Sequence, residues 1–461
     1  MKYPAYPKYK DSGVAWLGEV PEHWEVKRLK NLLVDGDGIK IGPFGSALRL
    51  EEMVDVGVKV YGQENIINND FDIGHRRISI DKHKEMLAYN VRHGDILVTM
   101  MGTSGKCKAV PENAEPGIID SHLLRLRIVG AVCKEFLVML IDQSSIVQNQ
   151  INFMGQGSIM QGINSAIVKE LVISFPPLPE QRAIAAFLDA QTSNLDTLIA
   201  KKRELIDKLK EKRAALITRT VTRGLPPDAA TAAGLDPHPK MKDSGVEWLG
   251  EVPEHWEVAV LRRFIRFITS GSRGWAEYYA DDGDIFVRIG NLTRHSIRVD
   301  LTDIQYVDPP QGAEGERTRI EIGDLLFSIT AYLGSVSVAT IDVAGGYINQ
   351  HIALVRIGMD EMMPEYVAYS TLADFGQAQL NGQGYGGTKI QLSLDDVKSL
   401  WVPVPPLPEQ RAIAAYLDRE TAAIDVLVAK VETAIDRLQE YRAALITAAV
   451  TGQIDIREAV Q

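Results

Sequence analysis

The hydrophobic positions of the chain follow two different periods. Short apolar runs such as VKVYG, DILVTM and ELVISF alternate with turns rich in Gly and Asn over residues 1–175, which is typical of β-strands. From Glu180 to about Val221 there is neither Pro nor Gly, and leucines recur every seven residues, which predicts a long helix that pairs with another helix. The same two patterns return, in the same order, in the second half of the chain.

An internal repeat accounts for this recurrence. KDSGVAWLGEVPEHWEV at 10–26 returns at 242–258 with one difference, and PPLPEQRAIAAFLD at 176–189 returns at 405–418 with one difference. Between these segments only a skeleton repeats, as in GDILVT at 94–99 and GDLLFS at 323–328. The chain is therefore two copies of a module of about 230 residues. Near-identical ends around divergent interiors predict a shared framework that carries two differently specialised surfaces.

The repeat predicts an α/β (α+β) architecture with internal pseudo-two-fold symmetry. Two β-rich domains are expected at 1–178 and 241–407, each followed by a long helix, at 179–223 and 408–452. A linker covers 224–240 and a tail covers 453–461. The two helices are expected to pack antiparallel, like a coiled coil, through one seam in each helix. These seams are Leu188, Leu195, Leu209 and Leu216, and Leu417, Ile424, Val431, Leu438 and Leu445; Ile413, Leu427, Ala434 and Tyr441 form a further seam.

Composition narrows the function classes. Hydrophobic residues make up 45% and charged residues 24%, as in an ordinary globular protein, and no apolar run suits a membrane span or a signal peptide, so a cytoplasmic location is expected. The net charge is −11, and residues 225–404 alone hold 14 basic and 25 acidic residues. This charge argues against a protein that binds nucleic acid strongly by itself, and leaves open DNA contact within a larger assembly.

No catalytic or metal-binding constellation emerges from the motifs. Asp308-Pro309-Pro310 resembles the start of an amino-methyltransferase motif, but Gln311 stands where the aromatic residue belongs. The Gly- and Lys-containing segments lack phosphate-loop spacing, and no cluster has metal-ligand spacing. Residues that recur as pairs fit structural roles better than chemical ones: His23 and His255, His122 and His351, Trp16 and Trp248, and Trp24 and Trp256.

The candidate ligand-binding residues lie in glycine-rich loops of the divergent interiors. Gly lets a backbone approach a ligand, Gln and Asn can bond adenine, Arg can recognise guanine, and Lys or Ser suits phosphates. As a set these loops predict DNA contacts. The candidates are Phe44, Ser46, Gln63, Asn65, Ser104, Lys106, Gln156 and Ser158 in the first module, and Ser272, Arg273, Arg288, Asn291, Arg294, Tyr332, Gln383, Tyr385 and Lys389 in the second.

Over nearly its whole length the sequence resembles the specificity subunit of a type I restriction-modification system. The resemblance rests on the W-x-x-x-x-L starts at Trp24 and Trp256, on GPFGSALR, on the GDILVTMMGTSG and GDLLFSITAYLG segments, and on the duplicated PLPEQRAIA. It implies a subunit without catalytic activity or cofactor, whose two domains each recognise one half of a bipartite, asymmetric DNA target.

The resemblance also implies partners. Two modification subunits carry S-adenosylmethionine and methylate adenine, and two motor-nuclease restriction subunits complete the complex. The helices and their flanks bind the two modification subunits, and the helices serve as a spacer, which would set the two half-sites about one DNA turn apart, ~34 Å.

Two alternatives remain open at this point. The heptads and the acidic charge would also permit a helical scaffold whose β-rich domains bind proteins rather than DNA. A self-sufficient DNA methyltransferase or nuclease would need the motifs that are missing.

Overall fold

The computed structural model describes residues 3–155, 163–309, 312, 315–330, 333–382 and 391–457. The chain divides into two compact units. Unit 1 comprises Met1–Lys202 and Thr433–Gln461, and unit 2 comprises Arg203–Glu432. Each unit therefore holds one β-rich domain together with the start of one long helix and the end of the other.

The first module contains these elements in chain order: β1 (Tyr9–Asp11), β2 (Glu19–Pro21), β3 (Glu25–Arg28), β4 (Ile39–Ile41), β5 (Met53–Tyr61), α1 (Gln63–Ile67), β6 (Arg77–Ile78), α2 (Ile80–Glu85), β7 (Asn90–Val91), β8 (Ile96–Thr99), β9 (Cys107–Ala109), β10 (Gly117–Ile119), β11 (Leu123–Leu126), α3 (Lys134–Gln143), α4 (Ser145–Gly155), α5 (Ser165–Glu170), β12 (Val172–Phe175) and the long helix α6 (Leu178–Arg223).

The second module follows with α7 (Pro227–Ala232), β13 (Met241–Asp243), β14 (Glu251–Pro253), β15 (Glu257–Val260), β16 (Ile265–Ser270), β17 (Tyr279–Ala280), β18 (Asp284–Val287), β19 (Gln305–Val307), β20 (Leu325–Ser328), β21 (Val336–Val338), β22 (Tyr347–Ile348), β23 (Ile352–Ile357), α8 (Pro364–Leu372), α9 (Asp374–Leu380), α10 (Leu394–Lys398), β24 (Trp401–Val404) and the long helix α11 (Leu407–Val450).

The two β-rich domains share most of their topology, and their mixed sheets differ in one edge strand, which is β7 beside β10 in unit 1 and β17 beside β19 in unit 2. Each has an antiparallel four-stranded sheet, ordered β4-β11-β8-β9 in unit 1 and β16-β23-β20-β21 in unit 2. Each also has a mixed sheet with one parallel pair, β5 with β10 and β18 with β22. A hairpin (β1–β2 or β13–β14) and an antiparallel pair (β3–β12 or β15–β24) complete each domain. The predicted fold class is confirmed.

The largely apolar strands β8 and β20 each lie between two hydrophobic clusters. In β8, Ile96 and Val98 join the main hydrophobic cluster of unit 1, whereas Leu97 joins a second cluster on the opposite side. In β20, Leu325 and Phe327 face the main cluster of unit 2, and Leu326 faces another. Because both faces of these strands are buried, the sequence shows a continuous apolar run instead of an alternation.

The aspartate of the repeated Gly-Asp pair fixes the start of each of these strands. Asp95 accepts a hydrogen bond from Arg127 Nε at 2.9 Å, and Asp324 accepts one from Arg356 Nε at 2.8 Å. Both carboxylates are buried. The second oxygen of Asp324 accepts from the backbone N–H of Glu321 at 2.7 Å, which closes the turn. In each domain the repeated Gly-Asp segment thus supplies the carboxylate of an ion pair, and the repeated Arg-Ile segment supplies its guanidinium group.

The duplicated PLPEQ segment starts each long helix through buried contacts. Glu180 lies 2.8 Å from His23 Nε2, and Glu409 lies 2.9 Å from His255 Nε2. The following glutamine closes the turn before the helix, since Gln181 Nε2 donates to the Pro176 carbonyl at 2.8 Å; Gln410 Nε2 donates to the Pro405 carbonyl at the same distance. The identity of this segment in both modules therefore has an internal structural cause.

Within each unit the two long helices run antiparallel. In unit 1, Asp196 of α6 pairs with Arg442 of α11 at 3.0 Å, and Ser174, just before α6, donates to the Val450 carbonyl at the end of α11. In unit 2, Arg213 of α6 pairs with Asp425 of α11 at 3.2 Å. These two ion pairs are equivalent, because both partners differ by the repeat offset of 229 residues.

The further seam predicted on α11 is correct at Ile413, which is buried, but its register is wrong further along the helix. Leu427 and Tyr441 are exposed, and the buried positions lie one residue further along, at Thr421 and Ile435. Apolar identity favoured Leu427 and Tyr441, but Thr421 enters the seam because its hydroxyl donates to the Leu417 carbonyl at 2.7 Å and leaves no unsatisfied donor. Of the first seams, Leu188, Leu417, Ile424 and Leu445 are buried, and Leu195, Leu209, Leu216, Val431 and Leu438 are half-buried.

Two further features differ from the expectation. The segment expected as a linker contains α7, and Leu225 and Ala230 are buried in the unit 2 core, so it packs as part of that unit. Of the paired tryptophans, Trp24 and Trp256 are fully buried, but Trp16 and Trp248 are exposed. Within the described residues, no helix is both long and apolar enough to cross a membrane.

Candidate nucleic-acid interface

The loop after the first strand of the antiparallel sheet is pinned in the same way in both domains. A Cβ atom on Gly42 would lie 1.7 Å from the Asp120 carbonyl oxygen, and one on Gly271 would lie 2.2 Å from the Asn349 carbonyl. Only glycine fits such close backbone contact. The two loops therefore leave the framework at equivalent points.

Two residues beyond this glycine, the domains differ. Phe44 is 57% exposed in unit 1. Arg273 occupies the equivalent position in unit 2 and is also exposed. Next to it, Ser272 receives a hydrogen bond from Arg317 at 3.4 Å. One position of a shared framework thus presents an aromatic ring in the first domain and a guanidinium group in the second.

A cleft of about 460 Å³ adjoins Phe44. Its lining includes Lys40, Tyr89 and Lys169. Lys40 Nζ lies 4.9 Å from the centre of the Tyr89 ring, and Lys169 is exposed. Aromatic rings together with lysines are suited to nucleic-acid bases and phosphates. Lys40 and Lys169 could not be singled out from the sequence, because they lie on β4 and α5 and not in a Gly-rich loop.

Two residues that were predicted to contact DNA, at the start of α1 and at the equivalent place in unit 2, serve the fold instead. Asn65 and Asn291 were expected to contact DNA, but both are buried. Asn65 Oδ1 accepts from the Gly62 N–H at 2.9 Å, and its amide donates to the carbonyls of Asp70 and Ile73. Asn291 makes the equivalent set of three bonds. Both N–H donors of each amide are used inside the fold and the side chains are buried, so these asparagines shape the loop and do not reach a base.

The loop after β8 and β20 is braced by a glutamine in each domain. Gln377 Nε2 donates to the Gly334 carbonyl at 2.8 Å in unit 2, and Gln148 occupies the same place beside Gly105 in unit 1. The residue directly after this glycine differs between the two domains. Lys106 is exposed and pairs with the buried Asp142 at 3.1 Å, whereas its equivalent is a serine.

The remaining candidates lie in different surroundings. Ser104 donates to the Met100 carbonyl at 3.1 Å, whereas Gln63 is half-buried at the start of α1 and its Oε1 is buried without a hydrogen-bond partner among the described residues. Arg288 pairs with the exposed Asp303 at 2.9 Å, and Arg294 donates to the Leu333 carbonyl. Ser46 lies in a short 3-10 helix after Phe44. Outside the described residues lie Gln156, Ser158, Tyr332, Gln383, Tyr385 and Lys389.

Charges beneath these loops are paired within the framework. In unit 2, the hydrogen bonds to Asp324 raise the pKa of the Arg356 guanidinium. In unit 1, burial lowers the pKa of Arg125, which together with Arg127 pairs with Asp37. Across the part of the chain that the structure describes, no group of three or more His, Cys, Asp or Glu side chains could hold a metal ion.

Two domains with the same antiparallel sheet, and with equivalent loops that carry different side chains, define a protein with two distinct recognition surfaces. The sequence model of the family described as "Type I restriction modification DNA specificity domain" matches residues 21–208 and 283–435. The chain belongs to this family and is a specificity subunit of a type I restriction-modification system.

Individual relatives extend over nearly the full length. The putative type I restriction enzyme MjaX specificity subunit of Methanocaldococcus jannaschii is 24% identical over 454 residues, which cover 96% of both chains. The EcoKI specificity subunit of Escherichia coli K12 is 22% identical over 455 residues, covering 95% of this chain and 90% of that one.

Solved structures share the fold. A chain from the structure described as "Structural basis underlying complex assembly and conformational transition of the type I R-M system" superposes with a TM-score of 0.67 at 19% identity, covering 94% of this chain and 99% of that one. The HsdS subunit from Thermoanaerobacter tengcongensis superposes with a TM-score of 0.52 at 19% identity, covering 94% and 98%.

Proposed function

We propose that each β-rich domain of this subunit recognises one half of a bipartite, asymmetric DNA target and holds it for chemistry performed by other subunits. Two modification subunits carry S-adenosylmethionine and methylate adenine, and two restriction subunits cleave DNA. This chain contributes no catalytic group of its own. Its place of action is the cytoplasm, where the DNA and these partners meet.

The observation that carries the proposal is the exchange of side chains on a constant framework. Buried contacts of the framework recur in both units: the Asp–Arg pair, the asparagine of the loop and the bracing glutamine. The positions they support differ: Phe44 and Arg273 are both exposed, and the exposed Lys106 has the buried Ser335 as its equivalent. Two different half-sites require such a pair of surfaces, because bases are distinguished by the side chains that reach them.

The acidic charge is consistent with a complex in which other subunits make most of the phosphate contacts. Most of the affinity of a DNA-binding protein comes from neutralised phosphates. With 14 basic and 25 acidic residues, the region 225–404 is poorly equipped for this task. Under the proposal the modification subunits supply much of the phosphate contact, and this chain supplies discrimination between sequences through a few residues such as Arg273.

The proposal is tested by mapping methylated adenines across the genome of cells that express this chain with its modification partner. We expect a motif of two short halves around a fixed gap, absent when only this chain is removed. Arg273→Ala should relax one half and Phe44→Ala the other, since loss of one base contact costs about 1–3 kcal/mol of discrimination. Arg437→Ala, an exposed arginine of α11, is the matched control and should leave the motif unchanged. A single continuous motif, or methylation independent of the chain, would refute the proposal.

A further inference from the structure

A short 3-10 helix packs against the first strand of the antiparallel sheet in both domains. It is Leu87–Tyr89 beside β4 in unit 1 and Glu316–Thr318 beside β16 in unit 2. In unit 1 the cation at this contact belongs to the strand, because Lys40 lies over the Tyr89 ring. In unit 2 it belongs to the 3-10 helix and is Arg317. Each domain thus places a different cation at the same point of the framework, next to its divergent loop.

Two hydroxyl groups hold the guanidinium group of Arg317. Its Nη1 donates to Thr269 Oγ1 at 2.9 Å, and its Nη2 donates to Ser272 Oγ at 3.4 Å. Thr269 is buried in β16, and Ser272 lies in the divergent loop directly before Arg273. Arg317 itself is exposed. Neutral partners therefore fix the plane of the guanidinium group without cancelling its charge.

The charge of Arg317 has no structural use within the fold. Several other arginines of unit 2 form ion pairs with carboxylates, namely Arg263, Arg266, Arg288, Arg298 and Arg356. Across the residues that the structure describes, Arg317 has hydroxyl partners and no carboxylate partner. Its charge is therefore left for a ligand outside the fold, in a domain where acidic residues outnumber basic ones.

The free donors of Arg317 indicate the class of ligand. A guanidinium group has five N–H donors in a planar fork, and the two hydroxyls use two of them. Two coplanar N–H donors match the O6 and N7 acceptors of guanine, and no other base presents that pair in the major groove. A phosphate would accept from a guanidinium group in many orientations, so a plane that is fixed in advance favours a base.

We propose that Arg317 is a specificity-determining residue of the second domain and contacts a guanine in the half-site that this domain recognises. Thr269 and Ser272 are positioning residues that orient its guanidinium group. The inference rests on the proposed function and deepens it, because it names one base of the target. Ala88 is the equivalent of Arg317 in the first domain, so the first half-site receives no such contact from this position.

The test changes the residue and the base together. The full chain is purified with its modification subunit, and the affinity of this complex is measured by fluorescence anisotropy at one fixed salt concentration. The duplexes carry the methylated motif, with each guanine of the second half-site replaced in turn by the deaza analogue that lacks N7. One replacement should weaken binding by the wild type about 10-fold. Arg317→Ala should bind the unmodified duplex about 10–100-fold more weakly and be insensitive to that same replacement.

Three further variants separate positioning from folding. Thr269→Val removes the hydroxyl from a buried site of nearly unchanged shape, so the guanidinium group loses its fixed plane and the preference for guanine over the deaza analogue should fall. Thr269→Ser restores the hydroxyl and should restore the preference. Arg266→Ala is the matched control, because Arg266 is an exposed arginine of the same strand that pairs with Asp360, and it should bind like the wild type.

The outcomes separate this inference from the proposed function. If Arg317→Ala weakens the binding of specific and unrelated duplexes equally and stays sensitive to every replacement, Arg317 contacts phosphate, and the inference is overturned while the proposed function stands. A second half-site without guanine on either strand would overturn it as well. A wild-type complex that methylates without a bipartite motif would refute the proposed function. Coupling between Arg317 and one guanine of the motif found instead would then still support the base contact.

Discussion

Removal of the buried carboxylate at the start of β20 should destabilise the second domain strongly. Asp324 is 1% exposed and accepts hydrogen bonds from Arg356 Nε and Nη2, both at 2.8 Å, and from the Glu321 N–H at 2.7 Å. Asp324→Ala leaves Arg356 with the exposed Glu321, at 2.6 Å, as its remaining carboxylate partner, and leaves the turn without its closing bond. Breaking one side of a buried ion pair costs about 3–5 kcal/mol, and we expect about 4 kcal/mol here.

A matched control comes from the same domain. Asp303 also pairs with an arginine, Arg288, at 2.9 Å, but its side chain is 88% exposed. Solvent screens this pair, so Asp303→Ala should cost less than about 1 kcal/mol. The double variant Asp324→Ala/Arg356→Ala should cost less than the sum of its single variants, since it leaves no orphaned charge.

Hydrogen exchange measured by mass spectrometry on the full chain gives the free energy of opening for each segment. Amides of β20 and β23 should lose about 4 kcal/mol of protection in Asp324→Ala, whereas the equivalent strands β8 and β11 of unit 1 should be unchanged. A loss below about 1 kcal/mol, or singles and double that simply add, would refute the view that this ion pair fixes the framework.

Three further predictions concern the loops, the core and the helices. Asn291→Ala should destabilise its loop by about 2 kcal/mol, because it orphans buried backbone groups, whereas Arg273→Ala should leave protection against exchange unchanged; equal effects would contradict the assignment of Asn291 to the framework. Burial raises the pKa of Tyr61 to about 12, so its neutral phenol stabilises unit 1 fully below pH 10 and this contribution is lost as the pH rises toward 12. Urea unfolding of the wild type at pH 8–11 should show this loss, and Tyr61→Phe should show a smaller one; the loss that remains comes from the buried phenols of Tyr6, Tyr366 and Tyr369, whose pKa values are raised as well. Insertion of seven residues into both long helices adds ~10.5 Å and should widen the gap in the methylated motif by about 3 base pairs; an unchanged gap would contradict a spacer role.

The fold class could be predicted because its signals are local or repeated. Strand-like runs, proline punctuation and a helix free of Pro and Gly are each visible within a short window. The internal repeat then doubles every observation, so that a weak pattern such as Gly-Asp followed by apolar residues becomes reliable. The same repeat located the loops where the two domains differ.

Other features depended on contacts between distant residues. The seam of α11 could not be predicted, since Thr421 is buried through a bond to its own helix while Leu427 faces solvent. Asn65 and Asn291 lie in loops with the composition expected of a DNA-binding loop, but their side chains form hydrogen bonds within the fold. The spacing could have indicated this role, because each asparagine lies three residues after the backbone N–H from which it accepts, as in a helix-capping arrangement. Nothing in the sequence pattern indicated that Trp16 and Trp248 would be exposed.

The claim that each domain recognises its own half-site is tested most directly by a chimera. Residues 259–404 are replaced with residues 27–175, so that two copies of the first interior lie between the near-identical ends of the repeat. Adenine methylation is then mapped in cells that express the chimera with the modification partner. We predict a symmetric motif: two inverted copies of the half-site recognised by the first domain. A motif that keeps the second half-site would contradict the account.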